Sequence, residues 1–228
     1  MAAAGKPRDL AVSRRGRLAA KILPRRFYLD PAVQVGRRLL GKLLVRTLET
    51  ETLVGRIVEV EAYIGEQDAA AHSFVGKTAR NQVLFGPPGH AYVYFIYGMY
   101  YCLNFSCEPE GKAGSVLIRA LEPVSGLEAM ARLRGLPDSA QPRLLASGPG
   151  RLCQAFAIRR AEHNGMDLTK STSELQVRDD GFVPGHIVAS PRIGIRKAVE
   201  MPLRFSIAGN QFVSRPWPWE LKERKVRG

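Results

Sequence analysis

One run constrains the fold of this chain more than any other: Tyr92-Val-Tyr-Phe-Ile-Tyr-Gly-Met-Tyr-Tyr101. Aromatic and β-branched residues favour strands. The glycine among them predicts a tight reversal, with strands over 91–97 and 100–105 joined by Gly98-Met99 as a two-residue type II′ turn. Such a hairpin commits its part of the sheet to antiparallel pairing. Aromatics at alternate strand positions are ordinarily core. Tyr97, Met99 and Tyr100 instead flank the turn, where the monomer has nothing to bury them. Exposed apolar side chains at a loop tip mark an interaction.

Upstream, alternation over 54–63 predicts another strand. It turns Arg56, Val58, Val60 and Ala62 to one face and Ile57, Glu59, Glu61 and Tyr63 to the other. A carboxylate beside aromatic rings can be desolvated and act as a base. The plainer reading of Glu61 is a surface glutamate on an edge strand. Residues 64–89 form a long connection rich in glycine and proline, usually a functional feature in a compact domain. His72, within it, could stack on a ring or be a structural histidine. Gly76-Lys77-Thr78 suggests a nucleotide-binding P-loop but lacks its earlier glycine, Ala71 standing in that place. Lys77 and Arg80 fit more simply as a loop facing phosphates. Asn104 and Arg119 lie inside apolar strands and need polar partners. Those are either each other and the backbone, or a base edge, a water or a phosphate. Ser147-Gly-Pro-Gly-Arg151 opens a helix whose free N–H groups would seat a phosphate or serve as an ordinary cap.

Other elements follow from caps and breakers. Asp30-Pro31 starts a helix whose stripe of Val33, Leu39, Leu40, Leu43 and Leu44 runs to about Val45. A strand over 115–121 ends at Glu122-Pro123, and Ser125-Gly-Leu-Glu128 is a capping box for a helix stopping at Gly135. A helix spans 151–160, and prolines break 181–205 into short strands. The sum is one α+β domain with a mainly antiparallel sheet.

Charge narrows the partner. Lys and Arg exceed Asp and Glu by 13, and the stretch before Phe27 supplies eight basic residues against Asp9 alone. A basic body with a more basic tail suits a polyanion. We expect residues 1–23 to be a disordered basic tail, 24–216 the domain and 217–228 a charged extension. The Arg-rich start is also the composition of an organellar transit peptide. Three cysteines without CxxC spacing read as buried thiols in a reducing compartment. No apolar run is long enough to span a membrane.

Taken together, these residues resemble the alkyladenine (3-methyladenine) DNA glycosylase family over about residues 24–214. The landmarks are Arg26-Phe-Tyr28, Leu39-Leu-Gly-Lys-Leu-Leu44, Ile57-Val-Glu-Val-Glu-Ala-Tyr63, Asp68-Ala-Ala-Ala-His72-Ser73, Arg80-Asn81, the hairpin run, Asn104, Leu117-Ile-Arg-Ala-Leu-Glu-Pro123, Ser147-Gly-Pro-Gly-Arg-Leu-Cys-Gln-Ala155 and Pro202-Leu-Arg-Phe205. The resemblance implies one domain around a curved, mostly antiparallel sheet flanked by helices, with the hairpin protruding.

It also implies roles. Glu61 would activate the attacking water. Arg119 would hold the water or the flipped nucleotide. Tyr63 and His72 would sandwich the flipped base, with Tyr94 lining the same pocket and Asn104 opposing a guanine 2-amino group. Tyr97 would fill the gap in the duplex, and Met99 and Tyr100 would touch the opposing strand or the backbone. Lys77, Thr78, Arg80 and Arg151 would contact phosphates, although the loop after His72 is about one residue shorter than in the vertebrate form. The expected partner is double-stranded DNA containing damaged purines, met as a monomer, inside the cell where the DNA is. The expected enzyme is monofunctional and leaves an abasic site in base excision repair, with no metal or cofactor. Two alternatives stand beside it. One is a helix-hairpin-helix glycosylase using Ser147-Gly-Pro-Gly150 and Asp167. The other is a non-catalytic basic protein that binds DNA or RNA.

Overall fold

The computed structural model describes residues 20–218. Strand β3 (Thr52–Ile64) is its spine. Strand β6 (Gly114–Ser125) runs along one edge of β3 from Val54 to Ile64. The other edge is divided: β2 (Leu43–Thr47) takes Thr52 to Arg56, and β9 (Arg204–Ile207) takes Glu59 to Glu61. Beyond β6 lie β5 (Tyr100–Cys107) and then β4 (Ala91–Ile96). Beyond β2 lie β7 (Leu175–Asp179) and then β1 (Lys21–Ile22), while β8 (Ile187–Ser190) borders β9. Every pairing among these nine strands is antiparallel, and the hairpin required this of β4 and β5.

The main core lies on one face of this sheet. Val60 and Ala62 from β3, Val116 and Ile118 from β6, and Leu103 and Phe105 from β5 all point there. Helix α1 (Ala32–Leu39) covers it, with Gly36 seated over Val60, Val116 and Phe205. Helices α2 (Leu127–Leu133), α3 (Arg143–Ala146) and α4 (Pro149–Ala155) close the same core through Met130, Leu145 and Leu152. The next residues on each strand, Glu61, Leu117 and Asn104 among them, face the other side.

Paired bulges correct the simple alternation expected of β3. Ile57 opposes Leu121, Glu59 opposes Ala120 and Val60 opposes Ile118, so Val58 and Arg119 are the extra residues. Ile57 therefore turns into the main core with Val60, and Val58 turns to a smaller cluster with Ala120 and Phe212. Bulges of this kind re-aim side chains next to functional sites. This one leaves Glu59, Glu61 and Arg119 together.

Several expected boundaries shift. The helix read through Val45 stops at Leu39, because Gly41 (φ +87°) reverses the chain, so Leu43 and Leu44 belong to a strand. A side chain at Gly41 would also meet the Phe182 ring. Asp30 caps nothing and pairs with Arg38 at 2.6 Å. The Ser125 capping box does not form, since Gly126 (φ +79°) holds the cap position without a side-chain bond. The helix expected over 151–160 breaks at Ala157 (φ +50°), and α5 (Arg160–His163) follows. The strand expected over 115–121 continues to Ser125. Lys21 and Ile22, assigned to the tail, pair with Asp179 and Arg178. Trp217, assigned to the extension, donates its indole N–H to the Val213 carbonyl. The rest of both terminal segments lies outside the described residues.

Carboxylates at tertiary crossings set an acid limit. Burial alone would raise the Asp68 and Asp180 carboxyls, but hydrogen bonds from Arg192 and Arg56 outweigh it and hold both below the usual range. A depressed folded pKa contributes stability above the unfolded value near 3.9, which is lost as pH falls through the folded value. Stability should therefore hold from neutral pH down to about 4 and fall steeply below it. Urea midpoints across that range measure this, and an Asp180→Asn chain should show a shallower acid limb.

Candidate active site

The sheet face opposite the core opens into a cavity of about 670 Å³. Its walls follow from strand alternation. Tyr63, Asn104, Leu117 and Arg119 line it, one residue out of step with the core-facing Ala62, Leu103, Val116 and Ile118. Tyr92 and Tyr94 of β4 add aromatic walls, and His72 reaches in from the long connection. The opening of α4 and the segment 193–197 complete the rim.

Glu61 is fully buried at the foot of this cavity. It meets the space through three groups that line it. The Tyr63 hydroxyl donates to Oε2 at 3.0 Å, the Ile193 N–H donates to Oε1 at 2.7 Å, and Arg119 Nη1 lies 3.1 Å from Oε1. Oε2 thus carries one donor and keeps lone-pair capacity for another. Burial, then the neighbouring Glu61, push the Tyr63 hydroxyl far above its ordinary value, so it stays a donor. Arg119 also donates Nε to Glu59 at 2.9 Å, and Arg204 Nε reaches the same Glu59 oxygen at 2.7 Å. Burial opposes the charge on Arg119, yet the two glutamates overcome it and hold the guanidinium protonated.

The rings are arranged around this floor. His72 Nδ1 and the Tyr92 hydroxyl share a hydrogen bond at 3.0 Å, and the His72 ring meets Tyr94 edge-on at 4.4 Å. Desolvation against the cavity wall, with the Arg80 charge beside it, lowers the His72 pKa and favours the neutral ring, although one side of the imidazole stays open to solvent. A neutral imidazole can face a cationic ring without repulsion. Asn104 is fixed by its amide to the Tyr92 carbonyl at 3.3 Å. Behind Tyr63 stands Arg192, its guanidinium 4.6 Å from the ring centroid and held by the equally buried Asp68.

At the mouth, the hairpin tip departs from the expected turn. Ile96 pairs with Tyr100, Met99 N–H returns to the Ile96 carbonyl, and Tyr97 (φ 54°) and Gly98 (φ 69°) are the central residues. Positive φ at both positions is the type I′ pattern, whose twist matches that of the strands. A tyrosine held left-handed is strained, and such strain collects at functional sites. Tyr97 is 75% exposed and Met99 62%. Tyr100, expected at the exposed tip, is half-buried against Gly150, where a side chain would strike its ring.

The sequence model of methylpurine-DNA glycosylases matches residues 26–211. The chain belongs to the methylpurine-DNA glycosylase family. A relative from Koribacter versatilis is 57% identical over 193 residues, covering 84% of this chain and 92% of that protein. One from Methanocella arvoryzae is 50% identical over 203 residues, covering 88% and 99%. One from Burkholderia lata is 47% identical over 196 residues, covering 86% and 92%. Each bears the name "putative 3-methyladenine DNA glycosylase". The chain is a DNA glycosylase, and DNA is its substrate.

In this glycosylase, Glu61, Arg119, Tyr63, His72, Tyr94 and Asn104 meet at one cavity, and Tyr97 and Arg151 stand on its rim. Lys77, Thr78 and Arg80 lie in the exposed loop beyond His72, with Arg80 beside the Tyr92 hydroxyl. Asp167, which a helix-hairpin-helix site would need, is tied to Arg25 and Thr169 and lies off the cavity. Sequence reasoning missed the segment Arg192-Ile-Gly-Ile-Arg-Lys197, which supplies an N–H to Glu61 and two cations to the rim. Its signal was a glycine between isoleucines with basic residues on both sides, read only as proline-broken strand. Among the described residues, no helix is long and apolar enough to cross a membrane.

Proposed function

We propose that this monomeric glycosylase flips damaged purines out of duplex DNA and hydrolyses their N-glycosidic bond, leaving an abasic site. The observation that carries this reading is Glu61, set behind an aromatic cavity and wired to its floor by Tyr63, Arg119 and Ile193. A base inside the duplex is out of reach and must be extruded, at a cost of a few kcal/mol. Tyr97 enters the gap and offsets part of that cost. The extruded purine stacks between Tyr63 and His72, with Tyr94 along its edge. Asn104 stands against the position of a guanine 2-amino group. Lys77, Thr78, Arg80 and Arg151 meet phosphates, and Met99 and Tyr100 lean on the opposing strand or its backbone.

The chemistry needs one water. It attacks the anomeric carbon as the bond from sugar to purine nitrogen breaks, and the bonding pair leaves with the purine. Positive charge develops on the sugar, as in other glycoside hydrolyses. Glu61 Oε2 takes the water's proton and stabilises that charge. An alkylated purine, already cationic, leaves neutral, whereas hypoxanthine must gain a proton. Arg119 has its nitrogens turned to Glu59, Glu61 and Ser214, which favours orienting the base over grasping the nucleotide.

Single-turnover assays on duplexes carrying 7-methylguanine, hypoxanthine or ethenoadenine, with nicking by alkali, test the reading. Release of none of them by the full chain would defeat it. Tyr97→Ser should slow release from duplex about tenfold or more, matching the loss of a stacking contact of roughly 1–3 kcal/mol. The same variant should change release from single strands much less, because no gap needs filling there.

A further inference from the structure

Directly after His72 the connection makes a tight turn of unusual composition. Gly76 N–H returns to the Ser73 carbonyl at 2.9 Å, so Phe74 and Val75 are the two central residues. Turn centres usually hold Gly, Pro, Asn, Asp or Ser. These two are large and apolar, 46% and 77% exposed.

The turn is also firmly held. The buried Asn81 donates its amide to the carbonyls of His72 and Gly76, both at 2.9 Å, and accepts the Thr78 N–H at 2.6 Å. Ser73 Oγ donates to the Ala113 carbonyl. A rigid, anchored turn that presents apolar side chains to solvent has the form of the Tyr97 turn in the hairpin.

Its surroundings are cationic. Lys77 and Arg80 follow in the same loop and are exposed. The Lys197 ammonium sits 5.8 Å from the Phe74 ring centroid, and Lys197 and Arg196 both line the cavity mouth. Glu66 lies on the Gly76 side of the turn. The segment 193–197 joins the two tips: Gly194 lies beside the Tyr97 hydroxyl, and Lys197 lies over Phe74.

We propose that the 73–76 turn is a second DNA-engaging finger. Phe74 and Val75 pack against the sugars and base edges of nucleotides flanking the displaced one, while Lys77, Arg80, Arg196 and Lys197 meet the phosphates on either side. The proposal rests on the glycosylase reading of the cavity and adds a contact outside it. Apolar contact and phosphate contact differ in one measurable respect. Losing a phosphate contact flattens the dependence of affinity on salt, whereas losing an apolar contact weakens binding without changing that slope.

The test is the double variant Phe74→Ser/Val75→Ser in the full chain, with a labelled duplex carrying a central tetrahydrofuran abasic analogue. By anisotropy, Kd should rise about five- to hundredfold, with the slope of log Kd against log salt unchanged. Phe74→Leu/Val75→Ile should bind as wild type. An unchanged Kd for the serine variant overturns the finger, and so does a rise accompanied by a shallower slope. Release of hypoxanthine at limiting enzyme, read alongside, should fall in step with affinity, and wild-type release there would overturn the finger as well. If wild type itself releases no base, the glycosylase reading fails, and the Kd comparison still decides the finger alone.

Discussion

Glu61→Gln is expected to cut single-turnover excision about 10²- to 10⁴-fold, the usual contribution of a positioned proton acceptor. Duplex binding should stay within a few-fold of wild type. The geometry explains why the two separate. Glutamine can keep its carbonyl oxygen toward Arg119 and the Ile193 N–H, where Oε1 now accepts both. Its amide then faces Tyr63, whose hydroxyl can turn from donor to acceptor. The fold and the stacking walls survive, but the amide cannot take a proton from water or balance charge on the sugar. Quenched time courses on a hypoxanthine duplex, with melting curves to monitor folding, measure it. A variant within about tenfold of wild type would place water activation elsewhere.

The parts of this molecule legible in its sequence are those governed by short-range rules. The hairpin was readable because glycine and alternating aromatics act within a few residues. Glu61 and Tyr63 were readable on one strand face for the same reason. Alternation failed at Ile57 and Val58, where the paired bulges with Arg119 depend on β6, some sixty positions away. It also failed at Leu43 and Leu44, whose spacing suits helix or strand alike and whose fate is decided at Gly41. The role of Ile193 was not readable at all. A backbone N–H has no side-chain signature, and only the path of the chain after β8 brings it to Glu61. Arg192 and Asp68 are opaque in the same way, since each makes sense only once the other lies buried beside it. Family resemblance reached the gathering of Glu61, Arg119, Tyr63 and His72 where pattern alone left each with an ordinary alternative.

Arg119→Leu is expected to cost the fold about 3–5 kcal/mol, because removing one member of a buried ion cluster strands the others. Arg119 is the link between two carboxylates that have no exposed surface. Glu59 would retain Arg204 and the Ser214 backbone N–H and hydroxyl. Glu61 would retain only the Tyr63 hydroxyl and the Ile193 N–H, two neutral donors to a carboxylate with no exposed surface. The loss should appear as a fall in melting temperature of roughly 6–20 °C for a chain of this size. Arg119→Lys separates charge from geometry. One ammonium restores a positive charge to the cluster and should recover part of the stability. It cannot fork between Glu59 and Glu61, so excision should stay depressed even where the variant is fully folded. A leucine variant that melts with wild type would mean the two carboxylates are not held by Arg119. A lysine variant with full excision would mean that charge alone, and not the aimed guanidinium, sets the Glu61 carboxylate for its water.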